Sequence, residues 1–521
     1  MKRKATLYFV TVLVFLALVA SASAQKAVYN VRDYGAKGDG VTDNTKAINT
    51  AIETAAQNGG GTVYFPAGRY LSYTIHLRSH LTLYLDNGAV LIGAKEEKGA
   101  GYDLPEKPTW YSKFQDFGHS TWKNSLIYGD SLQDIAIVGD GMIWGKGLYS
   151  YDKPHIKGAG NKAIALKNCH NVTIRDISIL HGGHFCVLAT GVDNLTLENL
   201  RVDADRDGFD IDCCKNVHIS NCTINSPTDD GLCLKSSFAL GYARPTENVT
   251  ISDCEVFGYD QGSLLAGTFK TEFKDEAPGV NHCITGRLKL GTESNGGFKN
   301  IAVTNCVFEH SRGIAIETAD GGAIEDILFD NITMRDITDT PFFIRLNARM
   351  RGPKGTPVGV CRRITISNLN VYDVGGRPKA PELGAGMVMG IPGHYIEDLT
   401  LSNIRIYFRG GGSKEAVTKK VPQHIDMYPD PYRWHSLPAY GIYFRYVKGL
   451  RVNNVVLRTL NTDERPAFVL DDVHDAHFAN VDAQKSAGTS QFILKNVSNI
   501  SFHDVNGVED ATLRKVNKKK L

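Results

Sequence analysis

Seven aspartates fall within 28 residues of this 521-residue chain: Asp203, Asp205, Asp207, Asp210 and Asp212, followed by Asp229 and Asp230. Asp207 and Asp229 are 22 residues apart. Carboxylates brought close together raise one another's pKa, a cost for which a plain turn has no use. General acid–base catalysis does have a use for it, because it needs carboxyl groups whose protonation is tuned by their neighbours. The competing readings are a row of turn aspartates and a site for a hard cation such as calcium, which also collects carboxylates. Catalysis is the strongest of the three, provided the fold brings the groups together.

A repeat does so. The segment Asn171-Val-Thr-Ile-Arg-Asp-Ile-Ser-Ile returns from Asn194, Asn216, Asn248, Asn300 and Asp326, with weaker copies from Asp134, Arg363, Asp398, Gly449, Asp475 and Asn499. Each copy alternates apolar and polar residues, the period of a half-buried strand. The tightest copies lie 22 to 26 residues apart, a pitch that suits one β-helix coil. A leucine-rich repeat has a similar period but needs a helical segment that is missing here. No copy buries its apolar face alone; stacking them closes one continuous core. Asn and Asp at a fixed turn position favour left-handed backbone and can hydrogen-bond up and down such a stack. Residues one coil apart then lie about 4.8 Å from each other, so Asp207 meets the Asp229-Asp230 pair.

The two ends differ in character. Thr42-Asp43 is placed to cap a helix whose Ala47, Ile48, Ala51, Ile52 and Ala55 share one face, and Gly59-Gly60-Gly61 stops it. A solenoid needs an atypical end to cover its open core. Residues 25–75 therefore read as an N-terminal helical cap and first coil, 76–510 as the parallel β-helix, and 511–521 as a basic, frayed tail. Residues 1–24 have the form of an export signal: Lys2-Arg3-Lys4, an apolar run from Ala5 to Ala20, and the small-residue site Ala22-Ser23-Ala24. That predicts a secreted or periplasmic protein cleaved after Ala24. Losing those three cations takes the formal charge from +2 to −1, against the cationic excess a nucleic-acid binder needs. No later stretch is long and apolar enough to insert stably in a membrane. The ten cysteines lie between Cys169 and Cys361, three of them (Cys222, Cys254, Cys306) at one repeat position; they read as stacked core thiols. Cys213-Cys214 is the place where an exported protein would find one disulfide partner.

At the acidic cluster the sequence resembles glycoside hydrolase family 28, the polygalacturonases and their relatives. The resemblance rests on Asp205-Arg206-Asp207-Gly208 and on Thr228-Asp229-Asp230-Gly231-Leu232-Cys233-Leu234-Lys235-Ser236, with Asp205 standing where the family carries Asn. The opening Val31-Arg-Asp-Tyr-Gly-Ala-Lys-Gly-Asp-Gly-Val-Thr-Asp is similar to the start of the wider pectinase-type β-helix group. The resemblance spans about residues 28 to 510. It implies an all-β fold, a right-handed parallel β-helix of the pectin lyase-like kind, and a glycosidase acting on a plant cell-wall, pectic polysaccharide. It also implies an inverting mechanism in which Asp229 is the general acid while Asp207 and Asp230 activate water. Such a site calls for no cofactor or metal, and the expected partner is a saccharide bound by a monomer.

Two family motifs have changed. Thr285-Gly286-Arg287-Leu288-Lys289-Leu290-Gly291-Thr292 occupies the Gly-His-Gly region without its histidine, leaving His282 as a substitute. Gly313-Ile314-Ala315-Ile316-Glu317-Thr318 stands at Arg-Ile-Lys, so a carboxylate, Glu317, replaces the cation that holds the substrate carboxylate in polygalacturonases. Lys235, Arg287, Lys289, Arg345 and Arg349 are the cations able to replace it, although Arg345 is equally suited to pair with Glu317. Trp110, Trp122, Trp144 and Trp434 are candidate sugar-stacking platforms. The rival readings are a polysaccharide lyase or epimerase on the same β-helix, and a carbohydrate-binding β-helix without catalysis.

Overall fold

The computed structural model describes residues 27–116, 118–151, 156–271, 284–375 and 384–521. The expected leader and His282 lie outside the described residues.

The repeat folds as a right-handed parallel β-helix. Strands of successive coils pair in parallel from Val28–Asn30 against Gly61–Phe65 up to Phe468–Ala483 against Phe492–Val505. The sheet that carries the acids runs through β1 (Lys162–Lys167), β2 (Phe185–Thr190), β3 (Asp207–Asp212), β4 (Leu232–Ser236), β5 (Leu288–Ser294), β6 (Ile314–Thr318), β7 (Phe342–Leu346) and β8 (Gly386–Met389). Its inward column is Ile164, Val187, Phe209, Leu232, Leu288, Ile314 and Phe342, each opposite the next and all buried. The outward column is Ala165, Leu188, Asp210, Cys233, Lys289, Ala315, Phe343 and Met387. Only the middle of that outward column carries charge, at Asp210 and Lys289.

The turn residues stack as the repeat requires. Asn171, Asn194, Asn216, Asn248 and Asn300 all take left-handed backbone with φ between 52° and 56°. Each donates its side-chain amide to the residue one coil back: Asn194 to Asn171 at 2.9 Å, Asn216 to Asn194 at 3.1 Å, Asn248 to Asn216 at 3.0 Å and Asn300 to Asn248 at 2.9 Å. The ladder offsets the cost of αL backbone, which Asn tolerates better than most residues.

α1 (Thr45–Gln57) buries Ile48, Ala51, Ile52 and Ala55 against the open end of the solenoid. It starts after the expected Thr42-Asp43, and the Asp43 carboxylate accepts from the Thr45 N–H at 2.9 Å.

Two expectations are corrected. The tail is not frayed: Ala511–Lys520 forms an antiparallel strand on Phe492–Val505, and Leu513, Val516 and Leu521 pack on the core. Cys213 and Cys214 hold no disulfide. All nine described cysteines are buried free thiols, with Cys222, Cys254 and Cys306 in the core. Among the described residues no helix is long and apolar enough to cross a membrane.

Candidate active site

Consecutive coils lock the three aspartates together through their backbones. The Asp207 N–H donates to the His184 carbonyl at 3.2 Å, Gly208 N–H to the Asp230 carbonyl at 3.1 Å, and Phe209 N–H to Gly231 at 3.0 Å. Gly208 is what permits this approach: a Cβ there would stand 2.3 Å from the Gly231 carbonyl oxygen. The turn that presents Asp229 is held by Ser226, whose hydroxyl donates to the Asp229 carbonyl at 2.8 Å, and by Thr228, whose hydroxyl donates to the Asp205 carbonyl at 2.6 Å. One carboxylate oxygen from each of Asp207, Asp229 and Asp230 lies within 4.8 Å of the others.

The three differ in surroundings. Asp229 is the exposed one, its side chain 25% accessible, against 4% for Asp207 and 2% for Asp230. Arg206 Nη2 stands 2.7 Å from Asp229, and its Nε 4.0 Å from Asp207. Asp230 accepts from Arg287 Nε at 2.5 Å and faces Lys289 Nζ at 3.3 Å. Burial alone would raise the Asp230 carboxyl, but Arg287 and Lys289 outweigh it and hold the group well below the usual carboxylate range. Asp207 goes the other way. Burial and the Asp229 charge push its carboxyl well above the ordinary value, and Arg206 only partly opposes them. The carboxyl held above the ordinary value is therefore the buried Asp207. As three clustered carboxylates they have the donor set for a hard cation, but Arg206, Arg287 and Lys289 already supply the positive charge at their oxygens.

The Asp207 arrangement carries a stability cost with a definite pH sign. Its folded pKa exceeds its unfolded one, so the native state binds more protons between the two, and stability falls as pH rises from about 4 through the folded value. Asp207→Asn is therefore expected to raise stability at pH 7, by about 1 kcal/mol, while abolishing turnover. The gain should vanish below about pH 4, where both states carry the proton. Chemical denaturation at pH 7 and pH 3.5 checks this; an equal gain at both would contradict the assignment.

The other acids of the row are structural. Asp203 accepts from Asn225, from Gly262 N–H and from Leu265 N–H, fixing the loop after Phe257. Asp205 meets His181 Nδ1 at 2.5 Å. Asp210 lies 3.0 Å from His119 Nε2, and Asp212 accepts from the Ser237 N–H and hydroxyl.

The sequence-predicted cations take up unequal places. Lys235 is buried between Glu293 at 2.9 Å and Asp210 at 3.8 Å. Lys289 reaches the Tyr428 hydroxyl at 2.9 Å and lies 3.9 Å from Glu317. Both line a pocket of about 240 Å³ with Asp116, His119, Arg206, the three aspartates and Tyr428. Arg287 stands behind Asp230 and outside that lining. Glu317 is fully buried beside Lys289, taking a bond from the Thr292 hydroxyl at 2.7 Å, and does not line the pocket. The cation and anion of the two altered motifs have in effect changed places, with Lys289 facing the pocket and Glu317 behind it. Arg345 is opposite Glu317 in register but does not pair with it. Its guanidinium donates to the carbonyls of Met389 and Gly390 at the end of β8 and of Gln423 and His424 on the insertion at 410–440, within reach of its long side chain. Arg349 is taken up by Asp320 and Glu293. Trp122 and Trp434 are buried, with their indole N–H groups donating to Thr190 and to the Pro422 carbonyl, so neither offers a free face to a sugar.

Sequence reasoning missed Arg206, His119, Asp116 and Tyr428. Arg206 carried a signal, as a cation set inside a run of acids. The others sit on non-repeating insertions whose position no periodicity fixes.

Comparison with known proteins agrees with the fold and gives the family. The family described as rhamnogalacturonase A/epimerase, pectate lyase-like, matches residues 28–307. A Vitis vinifera protein named "Probable polygalacturonase" is 26% identical over 418 residues, 75% of each chain. The exo-poly-alpha-D-galacturonosidase of Dickeya chrysanthemi is 24% identical over 403 residues, 70% of this chain and 65% of its own length. Among solved structures, the Yersinia enterocolitica family 28 exopolygalacturonase is similar with a TM-score of 0.56 at 19% identity, covering 94% of this chain and 80% of its own.

Proposed function

The chain belongs to the rhamnogalacturonase A/epimerase, pectate lyase-like family, and from that premise we propose that it is a glycoside hydrolase of pectic polysaccharides that works with Asp207, Asp229 and Asp230. The observation that carries this reading is the convergence of three carboxylates from two consecutive coils on one open pocket, with their charge balanced by Arg206, Arg287 and Lys289.

In the proposed reaction Asp229, at the mouth, protonates the leaving glycosidic oxygen. Asp207 and Asp230 hold and deprotonate the attacking water. Two carboxylates this close cannot both stay ionised at low cost, so the proton belongs to the Asp207–Asp229 pair rather than to either residue. The free site stores it on buried Asp207. When substrate draws Arg206 away from Asp229, the proton is better placed on Asp229, which faces the scissile bond. Asp230, kept anionic by Arg287 and Lys289, and Asp207, ionised by that transfer, then act together on the water. The pocket cations Lys235 and Lys289 suit an acidic sugar; its carboxylate would meet Lys289, whose partner Tyr428 can yield that bond.

A lyase or epimerase needs a base to remove a proton next to a carboxylate, and the lysines here are poor candidates. Burial would lower Lys289, but Asp230, Tyr428 and Glu317 outweigh it and keep the ammonium protonated; Lys235 is likewise held above its usual value despite its burial. Reducing-end release across a panel of pectic polymers and oligosaccharides tests the hydrolytic reading. Binding without any release would leave a carbohydrate-binding β-helix, and a UV-absorbing unsaturated product would point to a lyase.

Inversion at the anomeric carbon is supported by the third carboxylate, since a retaining enzyme needs only an acid and a nucleophile. Proton NMR of the first-formed sugar is expected to show the anomer opposite to the substrate's; retained configuration would sink the role given to water. The apolar run and small-residue site of residues 1–24 support export as the setting for this activity.

A further inference from the structure

We infer that the site accepts chain ends only, so that the enzyme trims its polymer from a terminus and does not cut in its middle. The inference rests on the hydrolytic reading above and adds the form of the substrate to it.

Among the described residues the three aspartates line one pocket over the outward face of β3 to β5, and insertions cover the neighbouring strands on either side. On one side Trp122 packs with Phe185, Ala165, Leu188 and Ala239, sealing β1 and β2. On the other, Val421, Trp434 and Leu437 pack with Ala315, Phe343 and Met387, sealing β6 to β8. Between the two sealed regions lie only β3, β4 and β5, two strand spacings or about 10 Å across, and their outward residues Asp210, Cys233 and Lys289 are buried beneath the pocket.

The third edge is also shut. Asp116, from the first insertion, forms an ion pair with Arg351, which follows β7. This bar joins the two covered regions past the ends of the open strands. A polymer lying along the stack would have to pass through both insertions, and one lying across it would have to pass through the bar. Among the described residues of the pocket, the accessible edge lies at Arg206 and Asp229, whose side chains are 22% and 25% exposed. The volume, about 240 Å³, is below the roughly 300–1,000 Å³ of a typical small-ligand pocket.

The walls are anchored. His119 Nε2 lies 3.0 Å from buried Asp210. The second insertion is held by Arg345 through the Gln423 and His424 carbonyls, by Asn347 through the Met427 carbonyl at 2.7 Å, by Ala348 N–H through Ile425 at 2.7 Å, and by Asp430 through Arg312 at 2.5 Å. Opening this side means breaking buried charge-assisted bonds, among the stronger hydrogen bonds in proteins.

The test is the full chain acting on whichever panel polymer releases most reducing ends, polygalacturonate on the present reading. Viscosity and product size are followed together from the first minutes. The expected result is accumulation of reducing ends with no early loss of viscosity, and a single short product of constant length from the first sample onward. A rapid fall in viscosity with a ladder of intermediate oligomers would overturn the chain-end inference and leave hydrolysis standing. No reducing ends from any polymer or oligosaccharide would overturn both.

Discussion

Asp229→Asn is expected to lower kcat on a natural glycan by about 10²–10⁴-fold, the usual worth of a positioned general acid, with the fold intact. The structural part follows from location. Asp229 sits at the pocket mouth with a quarter of its side chain accessible, and Asn keeps its size and a hydrogen-bonding oxygen toward Arg206. A change of this kind away from a packed core commonly moves stability by about 0.5 kcal/mol or less. The chemical part has a sharper signature than loss of rate. An aryl glycoside with an acidic phenol leaves without protonation, so Asp229→Asn should turn it over far better than it turns over the natural linkage. Asp207→Asn, which lacks a water-activating group, should be slow on both. Equal losses on both substrates in Asp229→Asn would remove the proton-donor role from that residue. If the proton is shared across the pair, the basic limb of the wild-type kcat/KM profile should also lie above the ordinary carboxylate range, because the proton held up on Asp207 is the one that Asp229 must deliver.

How far the sequence carried this picture depends on whether a feature repeats. The meeting of Asp207 with Asp229 and Asp230 was legible because 22 residues is one coil, and a coil fixes a neighbour at one strand spacing. The Asn ladder was legible for the same reason, as a short polar residue at a constant phase has one role in a parallel stack. The swap of charges between Lys289 and Glu317 was visible as two separate departures, but not as a pair. Lys289 pairs in register with Ala315, two residues before Glu317, so the ladder alone does not tell which of the two charges faces the pocket. Arg345 shows the limit of register itself. It is opposite Glu317 in the ladder, yet its long side chain reaches four backbone carbonyls, two at the end of β8 and two on the loop at 423–424. The terminal strand Ala511–Lys520 was hidden by composition: five cations mask the few apolar residues, Leu513, Val516 and Leu521, that dock it. Those same lysines suit an exposed sheet edge, where charge discourages pairing with another chain. The walls at 103–124 and 410–440 were out of reach because their positions depend on tertiary contacts such as Asp116 with Arg351 and Asp430 with Arg312.

The largest expected loss of stability comes from the buried cation that holds Asp230 anionic. Arg287 is 3% exposed and donates to Asp230 at 2.5 Å. Breaking a buried pair by removing one partner costs about 3–5 kcal/mol, because the remaining charge is left without compensation. Lys289 still faces Asp230 at 3.3 Å, so Arg287→Met should fall at the lower end, about 3 kcal/mol, read as a shift of the denaturant midpoint at constant slope. The pH dependence follows from the direction of the shift. Asp230 is depressed in the folded state, so it contributes stability above its unfolded pKa of about 4, and that contribution is lost as pH falls toward the folded value. Removing Arg287 lets the folded pKa rise and shrinks the contribution. The gap between wild type and variant should therefore be widest at neutral pH and close in acid, once Asp230 carries a proton in both. Adding Asp230→Asn to Arg287→Met should restore part of the loss at pH 7, since the uncompensated charge is then gone. Strict additivity of the two substitutions would mean that Arg287 stabilises the coil through packing alone, and that Asp230 does not depend on it for its charge.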